Sequence, residues 1–245
     1  PRSTPLYSSA ASDVYKRQEG GNPVPGTGFE YDSDGYVAEL LAQRTSPLLY
    51  SPAAGEWAWA IPDESNGEID RVVAVCPTGN KGPQYHYHPT FDEHFKVASG
   101  SFVLKVDGED VTINEGEDLL AKKGVKHSFR AVGEDGDFGA IIADVIPAVG
   151  FVGVMKFLFG LQHEGKVNSR GEVKLLQVCV WLRGYRTSLG VRAKDIAIPV
   201  PPGKMMITIL SGILAPLGRL LGYKADYPQF YEDEYWEKRV NQPPK

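Results

Sequence analysis

From Glu56 to Pro147 the chain repeats one texture. Short runs rich in Val, Ile, Phe or Trp are each closed by Gly, Pro, Asn or Asp, as in EWAWAIP, DRVVAVCP, SFVLKVDG and FGAIIADVIP. No helical period intervenes between them. Turn residues at this spacing restrict the segment to an antiparallel sandwich or barrel, so the expected fold class is mainly β. Val106-Asp107-Gly108-Glu109 reads as a tight hairpin, because Asp-Gly readily adopts the positive φ angles of a two-residue turn.

The flanks differ. Ser8 to Gln18, SSAASDVYKRQ, is similar to the translation of a transposase-based sequencing adaptor. Residues 1–18 are therefore expected to be non-native, and the absence of an initiator Met fits a truncated reading frame. Residues 19–36 are rich in Gly, Pro and acidic side chains and read as a loop or arm. Val37 to Gln43 reads as a short helix. The arm covers 19–49 and the barrel 50–147. After Pro147 the period changes: Phe151, Val154, Met155, Leu158 and Phe159 follow the spacing of one helix face. Val173–Trp181, Met205–Leu221 and Tyr231–Arg239 read as further helices, with Pro216 as a kink or break. Residues 148–245 are thus expected to form an α-helical C-terminal extension.

Composition narrows the function classes. The net charge of −5, without a basic block, argues against nucleic acid as a partner. Cys76 and Cys179 lie in separate apolar runs and form no CxxC pair, which points to a reducing, cytoplasmic compartment. Met205 to Gly218 is uncharged but too short to cross a bilayer at ~20 residues per span. It reads as a buried helix packed on the barrel or on a second subunit in a homodimer. Lys204, Arg219 and Lys224, with the tyrosines that follow, also suit an interfacial helix on a membrane surface.

The chemistry concentrates between Gly82 and His127. His86 and His88 are two apart on an expected strand, so both rings leave one face. Glu93 begins the next strand, taken as the antiparallel neighbour, and His127 follows a Gly turn. Three imidazoles and a carboxylate can converge in a barrel as a mixed N/O donor set. The patterns G-x(3)-H-x-H-x(4)-E-x(6)-G, from Gly82 to Gly100, and G-x(7)-G-x(2)-H, from Gly116 to His127, resemble the two motifs of the cupins. Lys122 and Ala131 stand where the family usually has Pro and Asn.

The resemblance covers roughly residues 60–147. It implies a double-stranded β-helix, or jelly-roll barrel, with His86, His88, Glu93 and His127 as metal ligands. It also implies a divalent transition metal, Fe(II) foremost, with Mn, Ni, Cu or Zn fitting the same donors. Period-two spacing puts Gln84 on the face of His86, Phe95 and Val97 on that of Glu93, and Phe129 on that of His127. These four line an expected pocket for a small apolar or aromatic substrate. His94 should leave the face opposite Glu93, and His163 should be solvated.

The resemblance to quercetinase-like members implies a metal-dependent dioxygenase, with Glu93 also a candidate catalytic base. Two alternatives stand beside it. One is a metal-dependent isomerase, decarboxylase or cyclase; the other is a non-catalytic metal- or ligand-binding module whose tail meets a partner or membrane. If residues 1–18 are foreign, their deletion leaves the unfolding midpoint unchanged, as a thermal melt would record.

Overall fold

The computed structural model describes residues 12–14, 28–168, 171–184, 198–199 and 204–243. Strands β1 (Ser12–Val14) and β2 (Phe29–Tyr31) pair antiparallel, and α1 (Tyr36–Ala42) and β3 (Leu49–Ser51) follow. The barrel strands come next: β4 (Glu56–Ile61), β5 (Asp70–Pro77), β6 (His86–Tyr87), β7 (Asp92–Ser99), β8 (Ser101–Val106), β9 (Glu109–Asn114), β10 (Asp118–Ala121), β11 (His127–Val132) and β12 (Phe138–Ile146). The C-terminal part holds α2 (Phe151–His163), α3 (Leu175–Leu182), β13 (Ile198–Pro199), α4 (Lys204–Leu220), a 3-10 turn at Pro228–Tyr231 and α5 (Asp233–Glu237). Apart from Ser12–Val14, the segment read as an adaptor scar lies outside the described residues.

The strands form two larger sheets, ordered β10-β7-β12-β5-β4-β3 and β13-β6-β11-β8-β9, with every pairing antiparallel. This is the expected mainly β, cupin-type jelly-roll barrel with a helical extension. Phe95, Phe102, Leu104, Ile113 and Ile141 fill the space between the sheets. The Asp-Gly hairpin forms as read, with Asp107 at φ 48 and Gly108 at φ 99.

Strands β5 and β12 are apolar on both faces. Ala74, Cys76, Ile141 and Ala143 belong to the barrel core; Val73, Val75, Ala140 and Ile142 belong to a second cluster on the outer face. That two-sided burial explains why these strands read as continuous apolar runs rather than alternating ones. Phe29, Leu40 and Leu41 come from the arm, Phe157 and Leu161 from α2, and Phe230 and Trp236 from the C-terminus. The stretch read as a loop or arm therefore places Phe29 in the core, at 3% exposure, against the rings of Trp57 and Phe138.

Polar contacts fix this third layer. The backbone N–H groups of Val149 and Phe151 donate to the Asp70 carboxylate at 2.7 and 2.9 Å, which caps the start of α2. Gln242 exchanges two hydrogen bonds with the backbone of Leu48, and Arg44 donates to the Pro243 carbonyl. His163, expected in solvent, is half-buried, with its ring edge-on to Trp236 and its Nε2 hydrogen-bonded to the Tyr50 carbonyl at 3.0 Å. The expectation failed because the helix face that carries it docks on β3.

Asp144 lies buried on the outer face of β12 and accepts from Arg71 at 2.5 and 2.9 Å and from Lys96 at 3.3 Å. Burial raises the carboxyl's proton affinity, but the Arg71 hydrogen bond and charge outweigh it, helped by Lys96, and hold it below its ordinary value. The contribution of this ionised group to stability is full above the ordinary value of 3.8 and is lost as pH falls below it. Asp144→Asn, which strands Arg71, should lower stability by about 2–3 kcal/mol at neutral pH, with the deficit vanishing in acid. Denaturant melts across pH measure both.

Candidate metal centre

Strand pairing builds the site. His127 of β11 pairs directly with His86 of β6, so their side chains share one face of the five-stranded sheet. His88 follows two residues later, and its carbonyl accepts from the Gly124 N–H at 2.7 Å. Glu93 lies on β7, which belongs to the other sheet, between β10 and β12. This corrects the expectation that Glu93 opens the strand neighbouring His86. Pro89 to Phe91 instead carry the chain across the barrel mouth from one sheet to the other, so the carboxylate faces the histidines across the interior. Gly82 makes room on the first side: at φ +60, a Cβ there would lie 1.7 Å from the Phe129 carbonyl oxygen.

The four donors converge within 4.8 Å of one another. Nε2 of His86 is 3.1 Å from Nε2 of His88, and Nε2 atoms of His88 and His127 each lie 3.0 Å from Oε2 of Glu93. His88, Glu93 and His127 are 2%, 4% and 1% exposed. Each outer ring nitrogen of His86 and His127 has a backbone acceptor: Nδ1–H donates to the Gln84 carbonyl at 2.7 Å and to the Val125 carbonyl at 3.0 Å. A carbonyl only accepts, so Nδ1 carries the proton and Nε2 is the nitrogen turned inward, as metal-ligating histidines require.

Electrostatics point the same way. Burial, reinforced by the other two imidazoles, holds His86 neutral, with its pKa pushed down to about 3. Burial also opposes the charge on Glu93, but hydrogen bonds from His127 and His88 outweigh it and hold the carboxyl well below the usual carboxylate range. Burial disfavours protonated His127, yet the Glu93 hydrogen bond and charge overcome it and raise its pKa. A buried anion and inward imidazole lone pairs at this spacing demand a positive charge between them. A divalent cation supplies that charge with the geometry of a mixed N/O donor set. The residues present therefore fit a metal.

The expected pocket residues separate. Phe95 lies beside the ligands, its ring 5.9 Å from that of His127 and 5.5 Å from that of Phe129. Val97 belongs to the barrel core. Gln84 is exposed and touches the site through its carbonyl. His94 leaves the opposite face, as expected, and bonds Asp118 at 2.5 Å. Two residues escaped the sequence reading. Phe91 stacks on His88 at 4.2 Å, and Phe151 of α2 meets His88 edge-on at 6.3 Å. Phe91 lay in view inside the first motif, whereas no local signal ties Phe151 to the site. Asp92, next to Glu93, accepts from the Lys123 N–H at 2.7 Å and ties the two motif loops together.

Fold and site define a small antiparallel barrel with an imidazole–carboxylate donor set at its mouth. The Cupin domain family model matches residues 72–141, so the chain carries a cupin domain over that stretch. No curated protein matches the sequence. Similar solved structures include KdgF from Halomonas sp., 18% identical over 40% of this chain and 83% of that one, with a TM-score of 0.35. An RmlC-like cupin from Shewanella frigidimarina is 19% identical over 45% of this chain and 98% of that one, at a TM-score of 0.37. A sugar phosphate isomerase of the cupin superfamily from Silicibacter pomeroyi is 18% identical over 37% and 60%, at a TM-score of 0.32.

His86→Ala combined with His88→Ala should abolish stoichiometric metal while the barrel, whose core is built from Phe95, Phe102, Leu104, Ile113 and Ile141, stays folded. Elemental analysis with a circular-dichroism control tests this, and metal retained in the double variant refutes the ligand assignment.

Proposed function

We propose that the protein is a metal-dependent cupin oxygenase that acts on a small apolar or aromatic molecule. The observation that carries this reading is the convergence of three imidazole nitrogens and one carboxylate at a barrel mouth, beside the rings of Phe91, Phe95 and Phe151. His86, His88, Glu93 and His127 would hold a divalent transition metal, Fe(II) foremost. Such an ion supplies redox chemistry toward dioxygen and an electrophilic centre for an anionic substrate oxygen.

The chain's own groups would do the rest. The Gln84 and Val125 carbonyls keep two rings aimed inward, which preserves the donor geometry through turnover. Glu93, ionised through the neutral range, can take the proton of an acidic substrate O–H at its carboxylate. Phe91, stacked on His88, keeps bulk water from that side of the donors.

The test is metal analysis of the full chain, purified without chelator or a His tag, followed by oxygen-electrode assays with Fe(II), Mn, Ni, Cu and Zn forms and a panel of phenols and enols. Oxygen uptake stoichiometric with substrate loss, abolished by His127→Ala, supports the oxygenase. Turnover without oxygen uptake overturns it in favour of isomerase, decarboxylase or cyclase chemistry. Stoichiometric metal without turnover of any substrate in the panel favours a non-catalytic metal-binding module. In the oxygenase case, Glu93→Gln should lower kcat by about 10²–10⁴-fold, the usual worth of a general base.

A further inference from the structure

Helix α4 is inside out for a helix on the surface of a water-soluble domain. Its inward side carries Ser211, Ala215 and Gly218, at 2% and 1% exposure for the first two. These small residues let α4 approach α3 closely: a Cβ on Gly218 would lie 2.6 Å from a Val180 methyl. Its outward side carries Ile209, Ile213, Leu217 and Leu220, continued by Leu221, at 57%, 69%, 46%, 83% and 60% exposure. At about 100° per residue these five fall on one side of the axis, opposite the small residues. Tertiary packing therefore uses the poor face of this helix and leaves the rich one in solvent. Within the single chain, the run expected as a buried helix is buried only along its small-residue side, against α3.

Charge says what covers that face. Residues 174–225 contain eight Lys and Arg against one acidic residue, Asp195, a local net of +7 in a chain whose total is −5. Of these, Lys174, Arg183, Arg219 and Lys224 are exposed. Two copies meeting through this segment would bring like charges together, whereas an anionic lipid surface offers both an apolar layer for the aliphatic row and opposite charge for its flanks. Among the described residues no helix is long and apolar enough to cross a membrane, so the contact lies in the interfacial plane.

We propose that the face of α4 formed by Ile209, Ile213, Leu217, Leu220 and Leu221 is a docking surface for anionic membranes. The proposal is independent of the metal chemistry. The full chain should co-sediment with vesicles of phosphatidylcholine and phosphatidylglycerol, bind pure phosphatidylcholine at least about tenfold more weakly, and release as salt rises. Ile213→Glu combined with Leu220→Glu should reduce partitioning at least about tenfold with an unchanged melting curve, since both side chains are exposed. Ile213→Trp should strengthen binding, a gain that misfolding does not produce. Equal binding to neutral and anionic vesicles, or full binding by the double Glu variant, overturns the proposal. So does a dimer in sedimentation velocity that the double Glu variant abolishes while the parent ignores vesicles, because the face would then belong to a second copy.

Discussion

The architecture depends on a six-stranded sheet that is apolar on both sides. Val73 and Val75 alternate with Ala74 and Cys76 along β5, and all four are buried. A barrel alone shelters only the inner set. The outer set would leave a broad apolar surface in water unless something else packed on it. The arm and the C-terminal part supply that layer from opposite ends of the sequence. Trp57, Trp59 and Trp236, each fully buried, mark where the sheet and the cover meet. Trp59 and Trp236 satisfy their indole N–H groups on the carbonyls of Leu40 and Phe230, so the cover is positioned by hydrogen bonds as well as by area.

The candidate donor cluster inherits its geometry from the same two sheets. His86 and His127 are a direct cross-strand pair on one sheet, and Glu93 comes from the other. Their approach is set by the separation of the sheets, which Phe95, Phe102 and Ile141 maintain as spacers in the barrel core. Packing also joins the centre to the cover. Phe151, the first residue of α2, meets both His88 and Phe91, while Leu161 near the other end of that helix lies in the outer core. One helix thus spans from the candidate donors to the third layer.

What was legible in the sequence was what local rules encode. The Asp107-Gly108 hairpin, the helical period from Phe151 and the donor residues themselves depend on short spacing, and spacing survives in one dimension. The sheet that holds Glu93 was not legible, because the crossing at Pro89 to Phe91 is a matter of topology rather than of period. Phe151 stayed hidden for the same reason, being 58 positions from Glu93 in sequence. The inward face of α4 was not legible for a different reason. Hydropathy ranks its aliphatic residues as core, but which face turns inward is decided by how closely α3 approaches, and that favours Ser211, Ala215 and Gly218.

The C-terminal part also supports the donors through the backbone. Strand β6 is only two residues long, and a pair of residues held along one side would fray readily. It is instead flanked twice: His86 pairs with His127 of β11 on one side and with Pro199 of β13 on the other. In sequence, β13 lies between α3 and α4. Proline suits the outer position, because the edge it forms presents no N–H at that residue to a further strand. Fixing His86 from both sides restrains the ring that the Gln84 carbonyl then orients. The inward aim of Nε2 therefore rests on three separate stretches of chain rather than on the motif alone.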